Sequence, residues 1–182
     1  MKQDIIEKIK VPGDIECSID NNLVSFKFKD KEIRRKFSFY GLELKKEGSE
    51  IIIESKKSTK KELKVIRTIK AHINNMINGL KNPFIYKMEI AYIHFPISVE
   101  LKEDKLLIKN FLGEKKERTA KILPGVEIKV ENNLIYITSN NKELAGQTVS
   151  NIEKMIRIRN KDRRKFQDGI YLIEKPGGKH NV

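Results

Sequence analysis

After Pro12-Gly13, apolar residues recur at every second position. Ile15, Cys17 and Ile19 form one alternating run, Val24, Phe26 and Phe28 a second, and Ile33, Arg35, Phe37 and Phe39 a third. Asp20-Asn21-Asn22 and Asp30-Lys31 separate these runs as polar turns. A period of two puts alternate side chains on opposite faces, so the pattern predicts a meander of short antiparallel strands. Gly41 and Gly48-Ser49 bound another strand, and Ile51-Ile52-Ile53 a further one. The period then changes. Thr59 and Glu62 have capping-box spacing, in which each side chain bonds the other residue's backbone N–H. Leu63, Ile66, Ile69, Ile73, Met76, Ile77 and Leu80 follow as one helical stripe, and Gly79 and Pro83 predict its end.

Beyond Pro83 the order restarts. Ile97, Val99 and Leu101 answer Ile15, Cys17 and Ile19 at an offset of 82 (97 − 15). Val126, Ile128, Ile135 and Ile137 answer Leu42, Leu44, Ile51 and Ile53 at 84 (126 − 42). A second helix is predicted near residues 143–158, with Asn140 and Glu143 at its start and Leu144, Val149, Ile152, Met155 and Ile156 as its stripe. Ile152 and Ile156 answer Ile69 and Ile73 at 83 (152 − 69). These registers predict an internal duplication and an α+β fold of two tandem copies, residues 1–82 and 83–182, each a small antiparallel sheet system packed with one long helix. Gly146-Gln147-Thr148 lies in the first turns of the second helix. A helix-interior glycine costs roughly 1 kcal/mol against alanine. It is read either as a close backbone approach by a ligand, for which helix N-termini favour phosphate, or as a frayed first turn.

Charge changes the picture more than composition does. The 182 residues carry a formal net charge of +13. Residues 1–82 contribute +7 (19 basic, 12 acidic), residues 83–153 zero (10 and 10), and residues 154–182 +6 (9 and 3). Such an excess points to nucleic acid first and an acidic membrane second. Within the last segment, Arg157, Arg159, Lys161, Arg163, Arg164 and Lys165 are broken only by Asp162 before Phe166-Gln167-Asp168-Gly169 and the apolar run Ile170 to Ile173. Arginine forks bind phosphate oxygens bidentately, and an aromatic ring can stack on an unpaired base. The competing reading is a solvated basic loop before an edge strand, and charge alone does not separate the two. Tyr171, out of register with Ile170 and Leu172, is expected on the face away from the core; Phe166 is open between core residue and stacking ring.

Other chemistry finds little footing. Cys17 is the only cysteine, so neither a disulfide framework nor a cysteine metal site is expected; its alternation with Ile15 and Ile19 predicts a buried thiol. His72, His94 and His180 lack metal-ligand spacing, with His72 expected on its helix surface and His94 in an interdomain strand. Glu103-Asp104, Glu114 and Glu117 read as solvated turn residues, and no phosphate-loop or dinucleotide glycine pattern occurs. Pro176-Gly177-Gly178 reads as a flexible end. No catalytic site, cofactor, metal or small-molecule substrate is expected. No apolar run is long enough for a bilayer and MKQDIIEKIK lacks a signal-type apolar region, so a cytoplasmic protein with no membrane partner is expected.

Several motifs together resemble a known family. These are Asn110-Phe111-Leu112-Gly113-Glu114-Lys115-Lys116 with Arg118, Pro124-Gly125-Val126, Gly146-Gln147-Thr148, Ile152-Glu153, and Arg157-Ile158-Arg159 through Asp162-Arg163-Arg164-Lys165-Phe166-Gln167-Asp168-Gly169-Ile170-Tyr171. The chain is similar to the large-subunit ribosomal protein L6 family in its archaeal and eukaryotic form, with departures at Asn140-Asn141-Lys142 and Val149-Ser150. The resemblance implies a structural protein of the large ribosomal subunit that binds ribosomal RNA mainly through its second half. It also implies a position near the stalk base and the sarcin–ricin loop, beside other large-subunit proteins. The residues it directs to RNA are Lys115, Lys116, Arg118, Gly146, Gln147, Thr148, Arg157, Arg159, Lys161, Arg163, Arg164, Lys165, Phe166, Gln167, Gly169, Tyr171 and Lys175. The alternative is a free-standing RNA-binding or RNA-modifying factor using the same basic loop.

Overall fold

A computed structural model describes residues 3–39 and 41–177, the side chains of Gln3 and Lys57 excepted; Gly178 and His180 lie outside the described residues. The chain divides into two compact units, Met1–Asn82 and Pro83–Val182.

The first unit runs β1 (Gln3–Lys10), β2 (Glu16–Asp20), β3 (Leu23–Phe28), β4 (Lys31–Lys36), β5 (Glu43–Glu47), β6 (Glu50–Ser58) and α1 (Lys60–Lys81). Two antiparallel sheets form, ordered β1-β6-β5 and β2-β3-β4. Helix α1 packs on β1 and β6 of one and on β3 and β4 of the other. Its start is the predicted capping box, with the Thr59 N–H donating to Glu62 Oε2 at 2.7 Å and the Lys61 N–H to Thr59 Oγ1 at 3.3 Å. Ile66, Ile69 and Ile73 are fully buried against Val24, Phe26, Ile51 and Ile53. Each isoleucine so buried stabilises the unit by roughly 1.5–3 kcal/mol. Cys17 is buried, which pushes its thiol pKa up. The third alternating run stops short: β4 ends at Lys36, and Phe37 is buried beyond the strand, its N–H donating to the Asn22 carbonyl at 2.8 Å.

The second unit runs β7 (Phe84–Ala91), β8 (Ser98–Lys102), β9 (Lys105–Lys109), a 3-10 turn (Phe111–Gly113), β10 (Arg118–Lys121), β11 (Glu127–Glu131), β12 (Leu134–Ser139), α2 (Lys142–Met155) and β13 (Gly169–Glu174). Its antiparallel sheets are ordered β10-β9-β8 and β11-β12-β7-β13. The repeat is visible in this order. β8 begins 82 residues after β2 (98 − 16), and β11 and β12 begin 84 after β5 and β6 (127 − 43, 134 − 50). The sequence β5-β6-β1 of the first unit returns as β11-β12-β7, with β13 added beyond β7. The copies therefore differ in two insertions: residues 110–117, between β9 and β10, and the segment from the end of α2 through β13.

Helix α2 shows why its first turns are unusual. Asn141, one residue later than expected, is the N-cap, its side chain accepting the Glu143 N–H at 3.0 Å. The helix stops at Met155, which is 39% exposed rather than part of the stripe, while Ile156 is buried just past the end. A Cβ on Gly146 would meet the Tyr86 hydroxyl at 3.2 Å. The backbone does need a close neighbour there, but the neighbour is β7. Thr148, expected at an RNA surface, is fully buried, its hydroxyl donating to the Leu144 carbonyl at 2.9 Å.

Candidate nucleic-acid interface

The turn after α2 is built around the one acid in its basic run. Asp162 Oδ1 accepts the Arg164 N–H at 2.9 Å, and the Asp162 carbonyl accepts the N–H groups of Lys165 (3.1 Å) and Phe166 (3.0 Å). A carboxylate bonding its own backbone two residues on is an Asx turn. It leaves Arg163, Arg164 and Lys165 on an ordered turn with their side chains exposed. Arg157, Arg159 and Lys161 precede them, also exposed, as are Lys115 and Lys116 on the 110–117 insertion. Among the described residues, none of Arg157, Arg159, Arg163, Arg164, Lys165, Lys115 and Lys116 forms an ion pair. Like charges held this close repel each other in the free protein, and a polyanion relieves that repulsion. Lys175 is exposed beyond β13. Phe166 is half-buried, with Lys161 Nζ 4.7 Å from its ring centre and the His94 ring centre 5.5 Å away.

Arg118 departs from the expectation of a phosphate ligand. Its guanidinium forks onto Glu114 (2.8 and 2.5 Å), donates to the carbonyls of Met155 (2.8 Å) and Arg157 (3.2 Å), and stacks 4.4 Å from the Phe111 ring centre. Hydrogen bonding from Arg118 holds the Glu114 carboxyl below the usual carboxylate range. All of these partners are internal. Arg118 ties the 110–117 insertion to the end of α2, and so sets where the basic turn begins. The Glu114 carboxylate, exposed as expected of a turn residue, is also its anchor.

Asp168 does the same work from the other end. Its side chain is buried; Oδ1 accepts the Ile93 N–H at 3.1 Å and lies 3.5 Å from His94 Nδ1. Burial pushes this carboxyl up, but the bonds from Ile93 and His94 outweigh it and hold the pKa below the usual range. Among the described residues nothing bonds Oδ2, and Asp168 lines a cavity of about 320 Å3 shared with Ser150, Glu153, Arg157 and Arg163.

Residues 92–97 are the element that sequence reasoning missed. β7 ends at Ala91, so His94 sits in a bend rather than a strand. This bend touches both insertions: Ile93 and His94 meet Asp168, His94 meets Phe166, Asn110 Nδ2 donates to the Pro96 carbonyl at 3.0 Å, and Phe95 lies 3.3 Å from where a Gly113 Cβ would stand. Tyr92 (42%), Ile93 (69%) and Phe95 (43%) are nonetheless exposed. The sequence carried no signal for this, because Tyr92, Ile93 and Phe95 have the composition of a strand. Tyr171 faces away from the core as expected, 43% exposed, its ring against Gly169 and its hydroxyl donating to the Gln167 carbonyl at 2.8 Å. Gly169 is therefore buried as the floor beneath that ring. Gln147 is exposed but bonded to Asn151 at 3.1 Å on the helix surface.

Among the described residues, no group of three or more His, Cys, Asp or Glu could hold a metal ion, and no helix is long and apolar enough to cross a membrane. Against known proteins, the family model for Ribosomal protein L6 matches residues 11–82 and 95–169, one segment in each unit. The large ribosomal subunit protein uL6 of Methanococcus vannielii is 40% identical over 173 residues, covering 95% of both chains. That of Methanobrevibacter smithii is 40% identical over 171 residues, covering 94% of this chain and 96% of its own. The second matched segment takes in the 110–117 insertion and the Asx turn. With the duplicated α+β units and the match extending through each, the chain belongs to the ribosomal protein L6 family.

Proposed function

We propose that this chain is a structural, non-catalytic constituent of the large ribosomal subunit, holding ribosomal RNA through its second unit. The carrying observation is the set of exposed cations on the Asp162 turn, with Lys115 and Lys116 of the neighbouring insertion, that form no ion pair among the described residues. The Asx turn fixes the backbone that carries these cations, so that part of the chain need not be ordered on binding and less affinity is lost to entropy. The first unit carries as much net charge but spreads it over its strands and α1, and the second unit is accordingly the main RNA-binding half. The family relationship supports a finer position, near the stalk base and the sarcin–ricin loop where translation factors dock, with other large-subunit proteins as neighbours. A ribosomal constituent co-sediments with large subunits at moderate salt at close to one copy each, and its presence protects nucleotides of the sarcin–ricin region from chemical attack. Recovery mainly in the soluble fraction would favour a trans-acting RNA-binding or RNA-modifying factor instead.

A further inference from the structure

Where the basic turn ends, an uncharged cleft begins. It has a volume of about 640 Å3 and is lined by Ile90, Ala91, Tyr92, Ile93, Asn133, Gln167 and Tyr171. The turn and the cleft are continuous, because Gln167 Nε2 donates to the Arg164 carbonyl at 3.4 Å while the residue lines the cleft. Tyr92 and Tyr171 are two-fifths exposed. Tyr171 is held in one orientation by Gly169 beneath its ring and by its hydroxyl bond to Gln167. Asn133 is fixed through its backbone, whose carbonyl accepts the Ile90 N–H at 2.7 Å, and its exposed side-chain amide is unbonded among the described residues. Two aromatic rings and two amides thus share one open, neutral space beside a cluster of cations.

We propose that this cleft receives a single unpaired RNA base, whose flanking phosphates lie on the basic turn. The division of chemistry supports this. Phosphate belongs with the guanidinium groups, since the cleft's amides and hydroxyls offer it hydrogen bonds but no positive charge. A base has a π-face for Tyr92 and Tyr171, and an edge whose donors and acceptors match the paired groups of a carboxamide. A paired base is already stacked and bonded, so only a bulged, looped or terminal nucleotide fits. This inference rests on the ribosomal-RNA reading above and goes beyond it, since backbone binding alone would leave the cleft empty.

The test uses the full chain and transcribed large-subunit ribosomal RNA. Short-wavelength ultraviolet light joins a base to a ring stacked on it, and mass spectrometry of the digested complex locates the adduct. Adducts at Tyr92 or Tyr171 are expected. The exposed double change Tyr92→Leu with Asn133→Ala is expected to weaken binding by roughly five- to hundredfold, the range for one stacked base. The slope of log affinity against log salt is unaltered, because every phosphate keeps its cation. Binding with adducts confined to the basic turn, together with unchanged affinity in the double variant, overturns the cleft while leaving the RNA reading intact. Irradiation of intact large subunits in which Tyr92 and Tyr171 join a ribosomal protein in place of RNA overturns it equally. If the unaltered chain binds no large-subunit RNA, both readings fall together.

Discussion

The Arg118 guanidinium donates to the Met155 carbonyl at 2.8 Å, so a side chain from β10 caps the C-terminal end of α2. The last carbonyls of a helix have no partner within it, and here a cation supplies one while favouring the negative end of the helix dipole. Arg118→Ala is expected to lower the second unit's unfolding free energy by about 2 kcal/mol, because charged hydrogen bonds and the ring stacking disappear together. Arg118→Lys does not restore it, because a single ammonium cannot fork onto Glu114 and reach two carbonyls at once. Urea titration reads both; a fully stable Arg118→Ala with impaired RNA binding would return this residue to the phosphate-binding set.

Gly146 and Tyr86 form a coupled pair. Alanine in place of glycine favours the helix by about 1 kcal/mol, but its Cβ would press on the Tyr86 hydroxyl at 3.2 Å. Tyr86 is buried, and that burial pushes its phenol pKa up. Gly146→Ala alone is expected to gain nothing. Combined with Tyr86→Phe it regains about 1 kcal/mol relative to the sum of the single changes, measured as a double-mutant cycle. RNA affinity is unchanged throughout, since the close approach at Gly146 is internal.

Acid should act through Asp168. Its folded pKa is lowered, so its stabilising contribution is present above the unfolded value, near 3.9, and is lost as pH falls through the still lower folded value. Asp168→Asn keeps an acceptor for the Ile93 N–H but removes the titration. The variant is expected to be less stable than the parent at pH 7, with the difference shrinking below about pH 4. A gap that stays constant down to about pH 2 would mean the carboxylate contributes by shape alone.

The four cations Arg159, Arg163, Arg164 and Lys165 separate binding from folding. Their joint change to glutamine is expected to weaken RNA binding and to lower the salt slope by roughly 0.7–0.9 for each phosphate no longer neutralised. Stability moves little, as exposed charges usually contribute within about 0.5 kcal/mol. Asp162 and Asp168, the nearest acids in sequence, are bonded to backbone N–H groups rather than to these side chains. A lowered melting temperature with an unchanged slope would mean that these residues serve the fold.

The helix of the first unit was legible because its caps and stripe are local signals, and the duplication because three independent registers agree. β1 was not. Its inward positions are Ile5, Glu7 and Ile9, and Glu7 is accommodated by an ion pair with Lys70 of α1 at 2.6 Å. A charged residue facing inward erases the alternation that marks a strand, and its partner lies 63 residues away. Arg118 misleads for a related reason: Glu114 is an ordinary surface acid until an irregular loop brings it round, with Leu112 at φ 53° inside the turn. The 92–97 bend carries the composition of a strand, and only the folded chain shows that its apolar residues face solvent.

The strand β13 has a consequence for how this chain stays dispersed. Among the described residues, β1 of the first unit is bonded along one side only, as the outer strand of its sheet, and it guards that margin with Lys8 and Lys10 beside exposed Ile6. β7, its counterpart, has no pair of lysines of that kind; β13 covers it over Ala91 to Lys87. Loss of the chain beyond Phe166 would bare an unpaired row of N–H and C=O groups flanked by Met88 and Ile90, a template for self-association. The segment that delivers the cations is also the one that seals the sheet. A chain shortened to discard its RNA-facing turn would lose β13 with it, and would become sticky before it became merely inactive.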